Sequence, residues 1–420
     1  MKVVHLNTSD FGGAAMAAIQ LHQALLDQGV ESDLLTLNKT RNDIQRHHRV
    51  TPFSLFTVPL VARIAYKARR LFEVSGLIRD QHNAPDNKNL IGRPERREIF
   101  TVPYSFFPIW RHPLIKDADV VHLHWVSYGM IDHRDFFRNC DKPIIWTMHD
   151  MNPFTGGCHH ADECFGYQSD CPVCPQLKDH ALAQHYWTYK KRGMYSVEKQ
   201  NMKLVAPSKW LADKAKLSVM LGSRSIEVIP NGFDIAVFRV QDKQVAREAL
   251  ALPADKKIIL FNALDVDNTR KGASLLNTAL DQLGQNDVVL VRIGGKNGRS
   301  RADRTIDTGY IQDPATLAQY YAAADLFVLP SLAENLPNTI SESLLCGTPV
   351  VAFNVGGIPE QIHENNGVLV DQQSSAGLEV AIKAALGKNW DRSSIAQQAV
   401  QRYDRRVIAK AYERLYSGTA

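Results

Sequence analysis

The sequence predicts an α/β fold made of two doubly wound, Rossmann-like domains that face each other across a cleft. Short apolar strands alternate with amphipathic helices in two series, one in residues 1–235 and one in residues 236–400. Glycine turns follow several of the strands, as expected where ligand loops leave the carboxyl ends of parallel strands. A charged amphipathic pattern in residues 401–420 predicts a terminal helix.

The composition is typical of a globular enzyme. The 420 residues are 45% hydrophobic and 22% charged, which fits two or three domains that each bury a core. The sequence contains no run of 18 apolar residues, so no membrane-spanning helix is predicted. The short apolar start, Lys2–Leu6, leads directly into a glycine turn and a helix and does not have the pattern of a signal peptide. We therefore expect a cytoplasmic protein.

The first domain opens with a βαβ unit. Strands are predicted at Lys2–Leu6 and Ser32–Leu37, with Gly12 and Gly13 in the turn that leads into the helix between them. A glycine pair lets the backbone approach a phosphate closely, although the same pair also serves purely structural turns. His149 ends a later buried strand, where a histidine is either packed into the core or exposed to a ligand.

A basic insertion is predicted at about residues 40–115. Residues 51–115 hold ten Arg or Lys and five Asp or Glu, which equals the whole chain's excess of +5. In residues 53–72 aromatic and aliphatic side chains interleave with arginines, a pattern that suits a helix lying on an anionic membrane surface. The alternative is an amphipathic helix docked on its own domain. Nucleic acid is not an expected partner, because no nucleic-acid-binding motif accompanies the charge.

A Cys-rich loop follows in residues 152–176. Its four cysteines fall within seventeen residues, at Cys158, Cys164, Cys171 and Cys174. Four thiolates can form a closed tetrahedral zinc site, in which His159 or His160 could replace one of them. Reduced packed thiols and disulfides are the alternatives, the latter being less common in the cytoplasm.

The second domain contains a pair of cations at a helix start. Arg270 and Lys271 precede Gly272 and a predicted helix over 274–283. Cations at that end of a helix oppose its dipole, and an anionic ligand would offset the unfavourable interaction. The alternative is a solvated pair of charges on a turn. Two later strands end at Gly294 and before Tyr310 and Ile311, where a flat base could lie against the backbone.

Glu334 and Glu342 are the most informative residues of the chain. A buried strand, Asp325–Leu329, precedes them, and Pro337 and Gly347 mark the start and end of a helix. Glu334 is therefore expected on the loop and Glu342 about one turn into the helix, where one carboxylate can accept sugar hydroxyls and the other a ribose diol. The alternative is two solvated glutamates near a helix start. The backbone at the start of this helix would also favour the binding of an anion, at Leu336, Pro337, Asn338 and Thr339.

These motifs together resemble the retaining glycosyltransferases of the GT-B fold that share a Glu-x7-Glu element, the glycosyltransferase family 4 type. The resemblance covers most of the chain and is strongest in residues 200–372. The segments that carry it are Ala206–Trp210, Ile229–Asp234, Lys271-Gly272, Glu334 with Glu342, and Gly356–Glu360. Residues 146–158 and the cysteines after them resemble bacterial exopolysaccharide and colanic-acid-type transferases.

The resemblance implies a role for each site residue. The second domain would bind a UDP- or GDP-linked sugar, with Glu342 on the ribose, Glu334 on a sugar hydroxyl, and Arg270 and Lys271 on the diphosphate. Gly13 would approach the phosphates, and His149 would contact the sugar or the acceptor. The terminal helix would return to the first domain. No metal would be required for catalysis.

One departure from the family pattern concerns the diphosphate arginine. The family has Gly-Arg a few residues before Lys-Gly, but this chain has Asn262-Ala263 there. We expect Arg270 to take over that arginine's role.

The sequence thus predicts a retaining glycosyltransferase at the inner face of the plasma membrane, acting on a lipid-linked oligosaccharide in surface or exopolysaccharide biosynthesis. Two alternatives remain. One is another GT-B enzyme, a sugar-nucleotide epimerase or a phosphorylase. The other is a sugar-nucleotide-binding protein without turnover.

Overall fold

The computed structural model describes residues 1–50, 99–197, 201–264, 266, 268–284, 287–295, 300–302 and 304–418. The predicted membrane-surface segment 53–72 lies outside these ranges. The chain forms two compact units. The first contains Met1–Pro207, Leu211–Ile229 and Ala409–Ala420, and the second contains Ser208–Trp210 and Pro230–Ile408.

The first unit is built on a seven-stranded parallel sheet with the order β3-β2-β1-β4-β5-β6-β7. Its strands are almost wholly buried at the centre, as expected for a parallel sheet covered on both faces. The strands are β1 (Lys2–Ser9), β2 (Glu31–Asn38), β3 (His47–Arg49), β4 (Val120–Leu123), β5 (Ile144–Thr147), β6 (Met202–Ala206) and β7 (Ile226–Val228).

Helices connect these strands, and one helical segment from the end of the chain also belongs to the first unit. Tyr412 and Tyr416 on the last helix are buried, and their hydroxyls bond Thr147 and His122, respectively, at 2.8 and 2.7 Å. The helices are α1 (Gly13–Asp27), α2 (Pro113–Asp117), α3 (His133–Asn139), α4 (Ala181–Met194) and α5 (Lys209–Leu217).

The second unit has its own seven-stranded sheet, ordered β10-β11-β9-β8-β12-β13-β14, in which β10 runs antiparallel to β11 and the other pairings are parallel. Chain order reverses direction between β8 and β12, which makes the carboxyl ends of these two strands the switch point of the sheet. The strands are β8 (Lys257–Asn262), β9 (Val288–Ile293), β10 (Ser300–Ala302), β11 (Thr305–Asp307), β12 (Leu326–Leu329), β13 (Val350–Phe353) and β14 (Gly367–Val370).

Helices cover this second sheet and form two apolar cores with it. One core includes Phe327, Tyr321 and Leu344, and the other includes Phe261, Leu276 and Phe353. The helices are α6 (Lys243–Ala249), α7 (Ala273–Leu283), α8 (Pro314–Ala323), α9 (Asn338–Leu345), α10 (Ser375–Gly387) and α11 (Arg392–Tyr403). The last helix, α12 (Arg405–Ser417), begins in the second unit and belongs to the first unit from Ala409 onward.

The predicted fold class of two doubly wound α/β sheets is confirmed. The unit boundary falls at Ile229/Pro230 rather than at 235/236, because Phe233 packs in the second core against Phe238 and Tyr403. The chain rejoins the first unit at Ala409 rather than at 401. The terminal helix spans Arg405–Ser417. Phe233 exchanges backbone hydrogen bonds with Tyr403 and Arg405, and Asp404 separates the terminal helix from the helix that ends at Tyr403.

Within the described residues, no helix is long and apolar enough to cross a bilayer.

Candidate functional site

Two loops meet at the switch point of the second sheet. One follows β8 and leads into α7, and the other follows β12 and leads into α9. Their backbones are joined, since the amide of Leu332 donates to the carbonyl of Arg270 at 2.8 Å. This is the position at which open α/β sheets bind their ligands.

The first loop is fixed by a side-chain cap and a glycine. Asn268 caps the short helix Thr269–Lys271 by accepting from the amide of Arg270 at 2.9 Å. Gly272 follows with φ +70°, and a Cβ atom there would lie 1.9 Å from the carbonyl oxygen of Pro330. Only glycine allows so close an approach of the two loops.

Three of the predicted site residues are brought together by this contact. The Nζ atom of Lys271 lies 2.5 Å from Oε1 of Glu334, and Nη1 of Arg270 lies 3.3 Å from the same oxygen. Arg270 also donates to the carbonyl of Ala333 at 2.7 Å. The side chains of Arg270, Lys271 and Glu334 are 17%, 23% and 11% exposed. Two cations around one acid leave a partly buried cluster with positive charge for an anion.

Glu342 lies nearby in sequence, on α9, but in a different environment. Its Oε2 accepts from the hydroxyl of Tyr321 at 2.9 Å, and that hydroxyl in turn accepts from Asn262 at 3.0 Å. Burial raises the pKa of Glu342 to about 7. A protonated carboxyl can both donate and accept, which suits hydrogen bonding to a vicinal diol.

Asn262 therefore has a definite place although it departs from the family pattern. It occupies the end of β8 and anchors the hydrogen-bonded series that ends on Glu342. The guanidinium beside Lys271 comes instead from Arg270, as the sequence led us to expect.

The segment Gly356–Glu360 supports the second loop from below. A Cβ atom on Gly356 would lie 1.7 Å from the carbonyl oxygen of Glu334, and the amide of Gly357 donates to the carbonyl of Asn335 at 2.8 Å. The Glu360 carboxylate accepts from the amides of Lys209 and Trp210 at 2.9 and 2.8 Å, and so caps the start of α5. These motif residues hold backbone in place.

The remaining predicted donor-binding residues of this unit differ in exposure. Gly294 has φ +111°, and a Cβ atom there would lie 1.7 Å from the carbonyl of Ala263, so close packing of two loops is one reason for this glycine. Tyr310 is exposed, while Ile311 packs against the core. At the start of α9, Leu336 and Pro337 are buried, and Asn338 and Thr339 are half-buried.

Gly12 and Gly13 lie in the first unit, where β1 ends and α1 begins. Gly12 has φ +88° and precedes the helix without a side-chain cap. A Cβ atom on Gly12 would meet nothing within 4 Å. The start of α1 thus has open space beside amides that favour an anion.

His149 lies just beyond β5 in the first unit and ends a series of three hydrogen-bonded imidazoles. Nδ1 of His5 lies 3.0 Å from Nε2 of His124, and Nδ1 of His124 lies 3.1 Å from Nε2 of His149. Burial lowers the pKa of His149 to about 4 and that of His5 and His124 well below 6.5. Each ring is therefore neutral at pH 7 with a single N–H, so the tautomers of the three rings are coupled.

The prediction from sequence missed these supporting residues. His5 and His122 lie on the adjacent central strands β1 and β4, and His124 directly follows β4; the three residues have nitrogens within 4.8 Å of one another. The spacing of two between His122 and His124 placed both on one face of a strand and was a usable signal. Both nitrogens of His122 and of His124 have hydrogen-bond partners, so we interpret the group as a buried polar network.

The Cys-rich loop begins three residues after His149, at residue 152. All six cysteines of the chain are free thiols in the structure, which disfavours the disulfide alternative. His159 is committed elsewhere: its Nδ1 lies 2.6 Å from Asp150 and its Nε2 lies 3.1 Å from Thr101. Burial opposes ionisation of Asp150, but His159 and the amide of Asn152 lower the pKa of Asp150 to about 2. His159 is therefore not available to replace a thiolate.

Comparison with known proteins gives two family matches. The model described as Glycosyltransferase Family 4 matches residues 11–237, which is more than half of the chain, and the model described as Glycosyl transferases group 1 matches residues 255–388. Among curated proteins the chain is similar to WcaC of Escherichia coli K12, which is named for colanic acid biosynthesis glycosyl transfer. The two are 23% identical over 86% of this chain and 85% of WcaC.

Solved structures with the same fold include two that span nearly the whole chain. Sucrose-phosphate synthase from Thermosynechococcus elongatus gives a TM-score of 0.65 at 18% identity, covering 99% of this chain and 98% of its own. HepE from Anabaena, solved in complex with UDP, gives a TM-score of 0.62 at 18% identity, covering 99% and 100%. The fold class is GT-B.

The contact between the two loops predicts a difference between two glycine substitutions. Gly272→Ala places a Cβ atom against the carbonyl of Pro330, whereas Gly284→Ala, at a similar φ of +65°, meets only an oxygen at 3.9 Å. We expect Gly284→Ala to lower stability by about 1 kcal/mol through backbone strain, and Gly272→Ala to lower it by about 2 kcal/mol more. Urea unfolding of both variants measures this; equal midpoints would contradict the required close approach.

Burial of Glu342 predicts a pH-dependent stability. The folded state holds the pKa of this acid near 7, above the ordinary value of 4.5, so its contribution to stability is complete below 4.5 and is lost as the pH rises through 7. Glu342→Gln keeps the neutral acceptor for Tyr321. Its stability advantage over the parent should grow from under about 1 kcal/mol at pH 5 to about 3 kcal/mol at pH 8. Exposed Glu364→Gln is the control, and an advantage that does not change with pH would contradict the assignment.

Proposed function

Because the chain belongs to Glycosyltransferase Family 4, we propose that it transfers a sugar from a nucleotide-diphosphate donor to a lipid-linked oligosaccharide, with retention of configuration, in surface or exopolysaccharide biosynthesis. The observation that carries this proposal is the cluster of Arg270, Lys271 and Glu334 at the switch point of the second sheet. It combines fixed cations with a carboxylate, the two features needed for a diphosphate and a sugar hydroxyl.

The donor diphosphate is assigned to Arg270 and Lys271. Negative charge grows on the phosphate oxygens as the glycosidic bond breaks, and cations fixed in a partly buried site stabilise that charge strongly. Both cations are already oriented by Glu334 and by the joined loop backbones, so little reorganisation is required when the donor binds. In this role Arg270 replaces the arginine that the family has at the position of Ala263.

The two glutamates are assigned different hydroxyls. Glu334, partly buried beside the cations, accepts from a hydroxyl of the transferred sugar. Glu342, held by Tyr321, binds the ribose diol, and its raised pKa favours a carboxyl that can also donate. Neither acid is proposed as a nucleophile. The departing phosphate takes the acceptor's proton in a front-face reaction, which accounts for retention without a covalent intermediate.

The names of the relatives support a uridine-linked donor and a saccharide acceptor. HepE was solved with UDP and, separately, with UDP-glucose, which favours a uridine donor over a guanosine donor. WcaC is named for colanic acid biosynthesis, and a structural neighbour, WaaG, for lipopolysaccharide biosynthesis. Both names favour a lipid-linked saccharide acceptor in the cytoplasm. His149 is proposed as the first unit's contact with the sugar or acceptor, and Gly12 and Gly13 as an amide site for phosphate.

Substitution at the cation and at the ribose acid should separate binding from transfer. Lys271→Ala removes charge stabilisation that grows in the transition state, so kcat should fall by about 10²–10³-fold with a smaller change in donor affinity. Glu342→Ala should weaken donor affinity about tenfold and change kcat less. Calorimetry with UDP and the UDP-sugars and a coupled assay for released UDP measure both effects. Glu364→Ala is the exposed control.

The same assay discriminates the alternatives. UDP released only when a saccharide acceptor is present supports transfer. Conversion of the sugar nucleotide without acceptor indicates an epimerase, and orthophosphate dependence indicates a phosphorylase. Tight donor binding with no product for any acceptor, in both the parent protein and the variants, indicates a binding protein and contradicts the proposal.

Membrane association of the basic insertion is a separate proposal, tested by sedimentation with anionic liposomes. Charge reversal at Arg63, Lys67, Arg69 and Arg70 should move the protein from the pellet to the supernatant, because each basic group near an anionic surface contributes about 1 kcal/mol. The control reverses four exposed lysines elsewhere, at Lys216, Lys257, Lys383 and Lys410. Equal loss of binding in both variants would contradict a specific membrane segment.

A further inference from the structure

The four cysteines of the loop that follows β5 converge on one place. Cys158, Cys164, Cys171 and Cys174 all line the same small cavity, and the other side chains around it are mostly apolar, among them Phe100 and Ala183. No three of these four sulfurs lie within 4.8 Å of one another in this structure. Four free thiols from separate turns facing one apolar cavity have no evident packing advantage over aliphatic side chains, which makes their chemistry the natural explanation.

The local backbone is shaped around these sulfurs. The amide of Gly166 donates to Sγ of Cys164 at 3.5 Å, and the amide of Cys171 donates to the carbonyl of Gly166 at 3.0 Å. Cys171 adopts a left-handed conformation with φ 55°, which is unfavourable for a residue with a Cβ atom. Backbone strain at a cysteine, together with an N–H donor to sulfur, is expected where thiolates are held for a ligand.

A buried cation lies beside the cavity. The Lys190 side chain is fully buried, and its ammonium donates to the carbonyl of Asn152, to the Asn152 side chain and to the carbonyl of Thr155. These three acceptors are neutral. Burial lowers the pKa of Lys190 to about 8, while Cys158, Asp150 and Cys171 oppose this effect. An ammonium in such a site is strongly unfavourable without a compensating negative charge.

We propose that Cys158, Cys164, Cys171 and Cys174 bind one structural Zn²⁺ as thiolates, and that Lys190 balances the charge of that centre. A tetrathiolate zinc centre carries a net charge of −2, which adds to the negative charge of Asp150 in stabilising the Lys190 ammonium. Soft thiolates in a tetrahedral set favour zinc, and four protein ligands leave no open position for catalysis. The sulfurs line the cavity wall, so binding draws each one inward to roughly 2.3 Å from the metal, with release of the thiol protons.

The zinc centre would order the loop that follows His149. Asp150, at the start of that loop, accepts from the indole of Trp125 and pairs with His159, which follows the first cysteine directly. The backbone of Cys158 also bridges to that of Phe100. Zinc would thus stabilise the segment that positions the polar groups at the carboxyl end of β5. This inference does not depend on the proposed transfer reaction.

The first test measures metal in protein purified without chelators from zinc-supplemented cells. We expect about one zinc per chain by mass spectrometry, the same in Cys140→Ser, whose thiol lies outside the cavity, and a loss of most zinc in Cys171→Ser. Because Cys171→Ser risks misfolding, the parent protein is also depleted with a chelator; zinc should then restore the lowered Tm, and Mg²⁺ should not. Parent protein without zinc, or with a disulfide among these four residues under reducing purification, would overturn the proposal.

The second test concerns Lys190 and uses a thermodynamic cycle. Lys190→Met is compared with the exposed control Lys178→Met, each in zinc-loaded and zinc-depleted form. If Lys190 balances the centre, Lys190→Met lowers the Tm of the loaded protein more than that of the depleted protein, because its other contacts cancel in the difference. An equal loss in both forms would show that Lys190 serves the loop backbone alone and would overturn its assigned role.

Discussion

The ion pairs of Arg270 and Lys271 with Glu334 are the interaction on which the site of the second unit depends. It can form only because the two loops at the switch point approach within backbone contact, at Gly272 against Pro330 and at Leu332 against Arg270. Neither cation would hold this position on a flexible turn, since an exposed ion pair contributes little by itself. The parallel sheet holds the two loops rigidly, and Gly272 allows their backbones to approach each other closely. The result is a positively charged, partly buried cluster in a protein of modest net charge.

The site also shows where function conflicts with stability. Glu342 is buried and is held by the Tyr321 hydroxyl, so ionisation is unfavourable in the ligand-free fold. A ribose diol would provide the hydrogen bonds that water provides in the unfolded chain. The three neutral imidazoles that end at His149 are a second buried polar arrangement, maintained by mutual hydrogen bonds rather than by charge. Such arrangements fix tautomers and side-chain directions that a solvated histidine would not keep.

Sequence patterns sufficed for the parts of this picture that depend on position along a strand. A buried run followed by a polar loop and a helix start locates Glu334, and the same reasoning applied to β8 locates Arg270 and Lys271; parallel strands then bring both loops to one edge. The sequence does not predict contacts between elements that are distant in the chain, which is why the contacts of Tyr321 and Asn262 and the His5–His124 link were missed. The break at Asp404 was missed for the same reason, because it is imposed by Phe233, far away in the chain. The short strands β3, β10 and β11 carry too few residues for a periodic signal.

Glu334 orients Arg270 and Lys271 but also offsets their charge, so we expect Glu334 and a diphosphate to compete for these two cations. Titration calorimetry of UDP with the parent protein and with Glu334→Gln tests this directly. Removal of the competing carboxylate should tighten UDP binding about three- to tenfold, with the difference shrinking as salt screens the charges, while Glu364→Gln leaves the affinity unchanged. If Glu334→Gln binds UDP as the parent does or more weakly, the cluster is a structural ion pair and the assignment of the diphosphate to Arg270 and Lys271 is wrong.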